Sequence, residues 1–300
     1  MNGSDMKALI AEYTMTREPA CAEEGRAMLE VLSASFERCG YEVLTPEGDD
    51  FSEEIRRLAP LCDVGLVIAP DPLLAGFSAT LEHLTNNIGC GSMSVAVCAN
   101  KLRAKTVLAK HGVPVPELMT AGLRIVKPIR GYGSAGVRLT DEPAGEVEFG
   151  ERFIEGEHIS VSMVGSRVVG DACDNYSGDP PLLLAVNRQT ISQGPDGQIR
   201  YLGGETPIDH PRQDEIVATA ALALNRLGCQ GYTGVDMVVA DHCYVVDVNP
   251  RITTSLVGIA ACMEEEIADV LVNASHGRGP GSVHLSGSVR FDTHGGVTRL

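Results

Sequence analysis

A lysine followed by a glycine-rich run is the first place in this sequence where the residue types suggest chemistry. The run is Lys127-Pro-Ile-Arg-Gly-Tyr-Gly-Ser-Ala-Gly-Val137, with glycines at Gly131, Gly133 and Gly136. As the turn of a hairpin, it can surround phosphate oxygens with backbone N–H groups, and the Ser134 hydroxyl adds a donor. Lys127 is the last of the chain's five lysines, and its compact charge suits a phosphate.

Two other interpretations of this run stay open. Its glycines spell G-x-G-x-x-G, the pattern of a dinucleotide-binding loop, and Glu151 lies at the expected distance downstream. Such a loop requires a following helix, whereas the next residues are β-prone and then turn-forming, with Pro143 where a helix would run. A hairpin is therefore favoured over an oxidoreductase with a nicotinamide cofactor, and a plain surface lysine before a flexible turn is the second alternative.

Two acidic strands later in the chain suggest a metal site. They flank Asp241-His242, with Asp236 on the first strand and Asp247 and Asn249 near the end of the second. Antiparallel pairing brings these positions together, and alternation places Asp247 and Asn249 on one face. Such oxygen ligands suit Mg²⁺ shared with nucleotide phosphates, and Arg251 could neutralise a transferred phosphoryl group. The alternative is that these side chains only cap turns.

Between these two segments, residues 148–154 are expected to form a strand before Gly156. Their backbone N–H and C=O groups could meet the edge of an adenine. A plain strand–turn–strand is the simpler interpretation of the same residues.

The elements that must position these groups begin with an α/β unit. Strands are expected at 7–11, 42–44 and 63–69, and helices at 22–39 and 52–61, the second capped by Ser52. Continuous apolar strands alternating with helices indicate a parallel sheet, so residues 1–98 are predicted to form a doubly wound unit.

Shorter elements follow. Helices are expected at 100–111, capped by Asn100, and at 213–227, ended by Gly228. Strands are expected at 124–128, 136–139, 148–154, 158–164, 235–240 and 243–248. The stretch from residue 273 is rich in Gly, Ser and His and is expected to be peripheral.

Composition excludes several classes of function. The 300 residues carry 24 Lys and Arg against 40 Asp and Glu, a net charge of −16 that disfavours nucleic acid and anionic membranes. No apolar run is long enough to span a bilayer, and the first residues are unlike a signal peptide. The nine cysteines are scattered, without Cys-x-x-Cys spacing, which is typical of reduced thiols in a cytoplasmic protein.

Taken in order along most of the chain, these segments resemble the ATP-grasp superfamily of carboxylate–amine ligases. The resemblance rests on the lysine-bearing helix after Asn100, Lys-Pro with its glycine loop, Glu-x-Phe-Ile-x-Gly at 151–156, and Asp-x-Asn-Pro-Arg at 247–251. It implies an α/β chain with an α+β catalytic part. The implied parts are an N-terminal α/β domain (1–98), a linker helix with the glycine-rich lid (99–156), and an antiparallel catalytic subdomain with the tail (157–300).

The resemblance also implies roles for single residues. ATP phosphates would contact Lys101, Lys127 and the loop positions Gly131, Gly133, Ser134 and Gly136. Adenine would lie at Glu151, Arg152, Phe153 and Ile154, with the ribose at His158. Mg²⁺ or Mn²⁺ would be held by Asp236, Asp247 and Asn249. Lys127 and Arg251 would be catalytic, and so would Arg188, because Asn187-Arg-Gln189 resembles a segment that faces the triphosphate. Many members carry Glu at positions 158 and 247, so His158 and Asp247 are departures.

The implied reaction forms an amide from a small carboxylate and a small amine through an acyl phosphate. Residues 9–13, 23–29 and 187–189 resemble the archaeal tyramine–L-glutamate ligase group of methanofuran biosynthesis. Another amino-acid ligase of the superfamily, a small-molecule kinase and a non-catalytic ATP-binding regulator stay as alternatives. A homodimer is left open.

Overall fold

A small parallel sheet opens the chain. The computed structural model describes residues 6–166 and 180–300, so residues 1–5 and Cys173 lie outside the described part. The strands are β1 (Met6–Glu12), β2 (Tyr41–Leu44), β3 (Val64–Ile68) and β4 (Asn86–Asn87), in the order β2-β1-β3-β4. The helices are α1 (Thr14–Arg17), α2 (Ala22–Arg38), α3 (Phe51–Leu58) and α4 (Asp71–Leu84). The predicted doubly wound arrangement of strands is confirmed.

The start of α3 corrects one expectation. Asp50, not Ser52, is the N-cap: its carboxylate accepts hydrogen bonds from the backbone N–H groups of Ser52 and Glu53 at 2.9 and 3.0 Å. Both residue types cap helices well, and the extended backbone of Asp50 decides between them.

A second, three-stranded sheet carries the glycine loop. After α5 (Ser92–Cys98) and α6 (Lys101–Lys110), the chain forms β5 (Arg124–Pro128), β6 (Arg138–Thr140) and β7 (Glu148–Glu151), with both partners antiparallel to β5. Asn100 caps α6 as expected, accepting from the Arg103 N–H at 2.9 Å. A strand, not a helix, follows the glycines, which rules out the dinucleotide-binding loop.

The largest sheet has seven antiparallel strands. They are β8 (Glu157–Gly165), β9 (Leu182–Gln193), β10 (Ile199–Thr206), β11 (Gly231–Val239), β12 (Cys243–Asn249), β13 (Val289–Asp292) and β14 (Val297–Arg299). Their order is β12-β11-β8-β9-β10-β13-β14. The helices α7 (Gln213–Leu227), α8 (Ser255–Cys262) and α9 (Ile267–Ser275) complete the described elements.

The two larger sheets share their apolar core. Ile10 and Leu66 of the first sheet lie in the same buried cluster as Tyr232 and Leu256. The division at residues 98 and 156 stays a prediction, although each of the three sheets falls inside one of its ranges. None of the helices within 6–166 and 180–300 is long and apolar enough to cross a bilayer.

The C-terminal stretch is not the peripheral segment that its composition suggests. Val289 and Phe291 are buried, alternating with exposed Arg290 and Asp292, and Phe291 lies opposite Gly204 on β10. A strand of only four residues gives little periodicity, and the surrounding Gly, Ser and His residues hide it.

We expect Phe291→Ala to lower the free energy of unfolding by about 3 kcal/mol. Phe291 is 2% exposed, and its ring packs directly against Gly258, where an added Cβ atom would come within 2.7 Å of the ring. Truncation of the ring would therefore leave a cavity. Urea unfolding followed by circular dichroism measures the loss, with the exposed Thr298→Ala on β14 as control. Equal midpoints for both variants would show that the tail is not part of the core.

Candidate functional site

One cavity of about 560 Å³ brings together nearly all the residues selected from the sequence. It lies between the three-stranded sheet and the large sheet. The selected residues that line it are Lys101, Lys127, Gly131, Gly133, Ser134, Glu151, Arg152, Phe153, Ile154, His158, Asp236, Asp247, Asn249 and Arg251. Gly136 and Arg188 are not in its lining.

The acidic hairpin, formed by β11 and β12, holds the oxygen-rich part of the cavity. Its register pairs Asp236 with Asp247 and Gly234 with Asn249, as antiparallel pairing predicts. Asp236 accepts hydrogen bonds from the Asn249 and Gln189 side-chain amides, both at 2.9 Å. The oxygen-bearing side chains of Asp236, Asp247 and Asn249 therefore lie close together in the cavity.

The electrostatics of this group suit a cation. Burial, and then the neighbouring Asp247 carboxylate, raises the pKa of Asp236 to about 6. Burial acts the same way on Asp247, but Lys101 and Lys127 more than offset it, and its pKa is lowered. Removing two adjacent carboxylates from water is costly unless a positive charge accompanies them.

The donor set fits a divalent ion that is shared with a ligand. Within residues 6–166 and 180–300, no three His, Cys, Asp or Glu side chains lie close enough to hold a metal by themselves. Two carboxylates and one amide leave several positions of an oxygen-ligated Mg²⁺ to other ligands, and Mg²⁺ commonly takes phosphate oxygens there.

Lys127 lies directly beside the acidic hairpin. Its Nζ donates to the Val246 carbonyl at 2.7 Å and lies 2.8 Å from Glu151 Oε1. Val246 immediately precedes Asp247, so the lysine at the end of β5 and the carboxylates of β11 and β12 face one space. Lys101 forms an ion pair with Asp247 itself.

The Glu151 side chain has a role of its own beside the backbone contact expected of this residue. Its carboxylate is 2% exposed and lies between Lys127 and Lys105, with Lys105 Nζ 2.7 Å from Oε2. The side chain balances two buried cations, so any adenine contact here is left to the backbone. Sequence reasoning missed Lys105, although its position one helical turn after Lys101 places both lysines on one face of α6.

The opposite end of the cavity is mainly apolar. Ile154 is buried, and Phe153 lines the space beside Val238 and Val246. The Arg152 guanidinium lies over the Tyr244 ring and donates to its hydroxyl at 2.9 Å. Burial lowers the pKa of His158, which keeps the imidazole neutral at pH 7.

The glycine loop, residues 131–136, covers the cavity. Gly133, Ser134 and Gly136 have positive φ values of 61°, 59° and 75°. Gly136 does not line the cavity. Its positive φ, which glycine adopts without strain, allows the chain to turn at this position. At the tip, the Tyr132 hydroxyl donates to the Glu18 carboxylate, which connects the loop to the N-terminal part.

Arg251 is fixed by a residue that the sequence did not reveal. Its Nε donates to Asp71 Oδ1 at 2.9 Å, and Asp71, the first residue of α4, is buried. An aspartate at a helix start has an ordinary structural explanation, so this contact across 180 positions leaves no signal in the sequence.

Arg188 requires a correction. Its guanidinium pairs with Glu157 at 2.9 Å and Glu205 at 3.1 Å, and its side chain is 44% exposed. Side chains alternate along a strand, so the neighbouring Gln189 faces the cavity and bonds Asp236 instead.

A further group of lining residues was also missed. Glu24 on α2 accepts a hydrogen bond from Thr254, just before α8, and both line the cavity together with Tyr201 on β10. Asp71, Glu24 and Asp247 are among the charged groups that act on Arg251. This end of the cavity therefore carries charges of both signs.

Comparison with known proteins agrees with this geometry. The chain is 30% identical over 214 residues to a tyramine–L-glutamate ligase of Methanocaldococcus fervens, a match spanning 70% of this chain and 65% of that relative. It superposes on the crystal structure of an ATP-grasp superfamily protein from Archaeoglobus fulgidus with a TM-score of 0.76 and 26% identity, covering 95% of this chain and 92% of that one.

A more distant structure shares the fold. D-alanine–D-alanine ligase from Bacillus anthracis, solved in complex with ATP, gives a TM-score of 0.66 at 16% identity and covers 90% of this chain and 97% of that one. The family model of the ATP-grasp domain matches residues 98–255, which include the lysines, the glycine loop and the acidic hairpin. Because this match takes in more than half of the sequence, the chain belongs to the ATP-grasp family.

Proposed function

We propose that this chain is an ATP-dependent ligase that joins a carboxylate to an amine and releases ADP and phosphate. One observation carries the proposal: Lys127 and the trio Asp236, Asp247 and Asn249 face a single cavity. Cations beside an oxygen-ligand group are the arrangement that phosphoryl transfer requires.

The chain's own groups divide the work along the cavity. Lys101, Lys127 and the backbone of the glycine loop would bind the phosphates, while the apolar end beside Phe153 and Ile154 would hold the base. The neutral His158 suits a sugar hydroxyl. Asp236, Asp247 and Asn249 would hold Mg²⁺ or Mn²⁺, which neutralises phosphate charge when bound.

The reaction then depends on positioning the substrates and on neutralising the phosphate charge, and it requires no protein nucleophile. An oxygen of the substrate carboxylate attacks the γ-phosphorus, the bond to ADP breaks, and an acyl phosphate forms. The amine nitrogen attacks its carbonyl carbon, phosphate leaves, and the nitrogen loses a proton. Arg251, which lines the cavity and is held by Asp71, would stabilise the charge that develops on the phosphoryl group.

Tyramine and L-glutamate are the pair that we propose first. The support is the activity named for the relative at 30% identity, together with Glu24, whose carboxylate lines the cavity and suits an ammonium group. The match spans less than two thirds of that relative, so other amino-acid ligations are compared beside it.

The test is ADP release in a coupled assay with ATP and Mg²⁺. We expect turnover only when a carboxylate and an amine are both present, with tyramine plus L-glutamate the fastest pair, and one phosphate freed per amide. Amine-independent ADP release with phosphate retained on the acid would identify a kinase. Nucleotide binding without turnover for any pair would identify a regulator.

Closure of the glycine loop gives a separate prediction. Gly133→Val should weaken binding of Mg²⁺ and a non-hydrolysable ATP analogue about tenfold, because a β-branched residue is strained at a φ of 61°. Calorimetric titration measures the affinity. Gly112→Val is the control, since Gly112 also has a positive φ and open space around its Cβ position but lies outside the cavity lining. Equal affinities would remove the loop from nucleotide binding.

A further inference from the structure

The start of helix α6 contacts both sheets that face the cavity. Its first residue, Lys101, donates its backbone N–H to the Ile129 carbonyl, just after β5, at 2.9 Å. The Lys101 side chain is 9% exposed and forms an ion pair with Asp247 on β12. One turn later, Lys105 pairs with Glu151 on β7 at 2.7 Å. The two lysines of α6 therefore hold one carboxylate of each sheet.

The two carboxylates of the acidic hairpin that line the cavity, Asp236 and Asp247, have a protein partner on every oxygen. On Asp247, Oδ2 pairs with Lys101 and Oδ1 accepts the Val248 N–H at 3.1 Å. On Asp236, each oxygen accepts a side-chain amide at 2.9 Å. An N–H donor leaves lone pairs for a metal, whereas an ammonium also brings a full positive charge. Lys101 is therefore the partner that a divalent cation has to displace.

The charge balance of the cavity points the same way. Its lining carries as many carboxylates as lysine and arginine side chains, four of each. A divalent cation that enters alone adds excess positive charge to this balanced lining, and it meets Lys101 and Lys127 beside Asp247. Nucleotide phosphates reverse the situation, because they bring negative charge and accept an ammonium as a carboxylate does.

We infer that Lys101 competes with the divalent cation for Asp247, so that the metal binds tightly only when nucleotide phosphates take up the Lys101 ammonium. This inference rests on the proposed ATP-dependent function and adds the order of events at the same site. Lys101 thereby couples metal binding to nucleotide binding, and the coupling is equal in both directions.

The experiment measures Mn²⁺ binding to the full chain without nucleotide, from the electron paramagnetic resonance signal of the free ion. Lys101→Met nearly keeps the length of the side chain and removes its charge, so it should tighten Mn²⁺ binding about tenfold. The same variant should weaken metal-free binding of a non-hydrolysable ATP analogue, because a phosphate contact is lost. Lys110→Met, at the exposed end of α6, is the matched control and should change neither affinity.

Further variants test whether the gain in metal affinity acts through charge and through Asp247. Lys101→Arg keeps the positive charge and should keep the weaker Mn²⁺ binding of the wild type. Lys101→Gln is also neutral and should repeat the gain, and circular dichroism confirms that each variant is folded. In an Asp247→Asn background, adding Lys101→Met should not tighten Mn²⁺ binding.

Tighter Mn²⁺ binding together with weaker nucleotide binding supports the competition. Unchanged or weaker Mn²⁺ binding in the neutral Lys101 variants would overturn it, because a lysine that serves only the phosphates or only the fold gives that result. A gain shared by Lys110→Met, or a gain that persists with Asp247→Asn, would overturn it as well. None of these measurements needs turnover, so a chain that fails the ADP-release assay with every pair would lose the ligase proposal alone.

Discussion

Replacing Asp236 by asparagine should reduce ADP release about 10²- to 10³-fold while leaving the ligand-free chain more stable than the wild type. Activity falls because a metal-ligating oxygen loses its charge. Stability rises by about 1 kcal/mol because the wild-type chain holds a half-buried carboxylate against Asp247, a cost that the neutral amide avoids. The new side chain has the same shape as the carboxylate, so one of the two amides, of Gln189 or Asn249, can turn to accept from its NH2 group while the other still donates to its oxygen.

Urea unfolding at pH 7.5 without metal and steady-state ADP release measure the two effects. Asp241→Asn, at the exposed turn of the same hairpin, should change neither. The raised pKa of Asp236 destabilises the folded chain fully above about pH 6, and this cost disappears as the pH falls from 6 toward the ordinary pKa of 3.8, so the advantage of the variant should shrink over that range. A variant that keeps wild-type activity would remove Asp236 from the metal site.

Glu151→Gln is expected to cause the largest loss of stability, about 3 to 5 kcal/mol in the free energy of unfolding. The carboxylate is the shared partner of Lys105 and Lys127, and all three groups are buried. The substitution leaves two buried ammonium groups close together, and the nearby Asp247 carboxylate is already paired with Lys101. Urea unfolding without nucleotide measures the loss, and binding of an ATP analogue should weaken as Lys127 moves.

Glu148→Gln on the same strand is the matched control. Glu148 pairs with Arg138 at 2.7 Å, but both side chains are about one-fifth exposed, so we expect a loss of only about 1 kcal/mol. If both substitutions lower the free energy of unfolding equally, the ion pairs of Glu151 with Lys105 and Lys127 do not stabilise the fold more than a more exposed ion pair does.

The acidic hairpin could be predicted because its information is local. Although a β-bulge between Met237 and Asp236 adjusts the register, two strands joined at Asp241-His242 must pair antiparallel, which brings Asp236 close to Asp247 without reference to the rest of the chain. The glycine loop was predictable for the same reason, since residues 137–145 already exclude a helix after it.

The contacts that the sequence could not supply join distant segments or depend on which face a side chain takes. Asp71 meets Arg251, and Glu24 meets Thr254, across the shared core of the two larger sheets. Residue type favours Arg188 over Gln189 because its charge suits a phosphate, yet strand alternation assigns the cavity face to Gln189. Residue type alone determines neither the distant residue that a side chain contacts nor the face of the strand on which that side chain lies.

A crystal structure of the chain with Mn²⁺ and a non-hydrolysable ATP analogue tests the central claim most directly. We predict an anomalous Mn²⁺ peak bound by oxygens of Asp236, Asp247 and Asn249, with the triphosphate between that ion and Lys127. A nucleotide bound elsewhere, or a metal peak away from the acidic hairpin, would contradict the account.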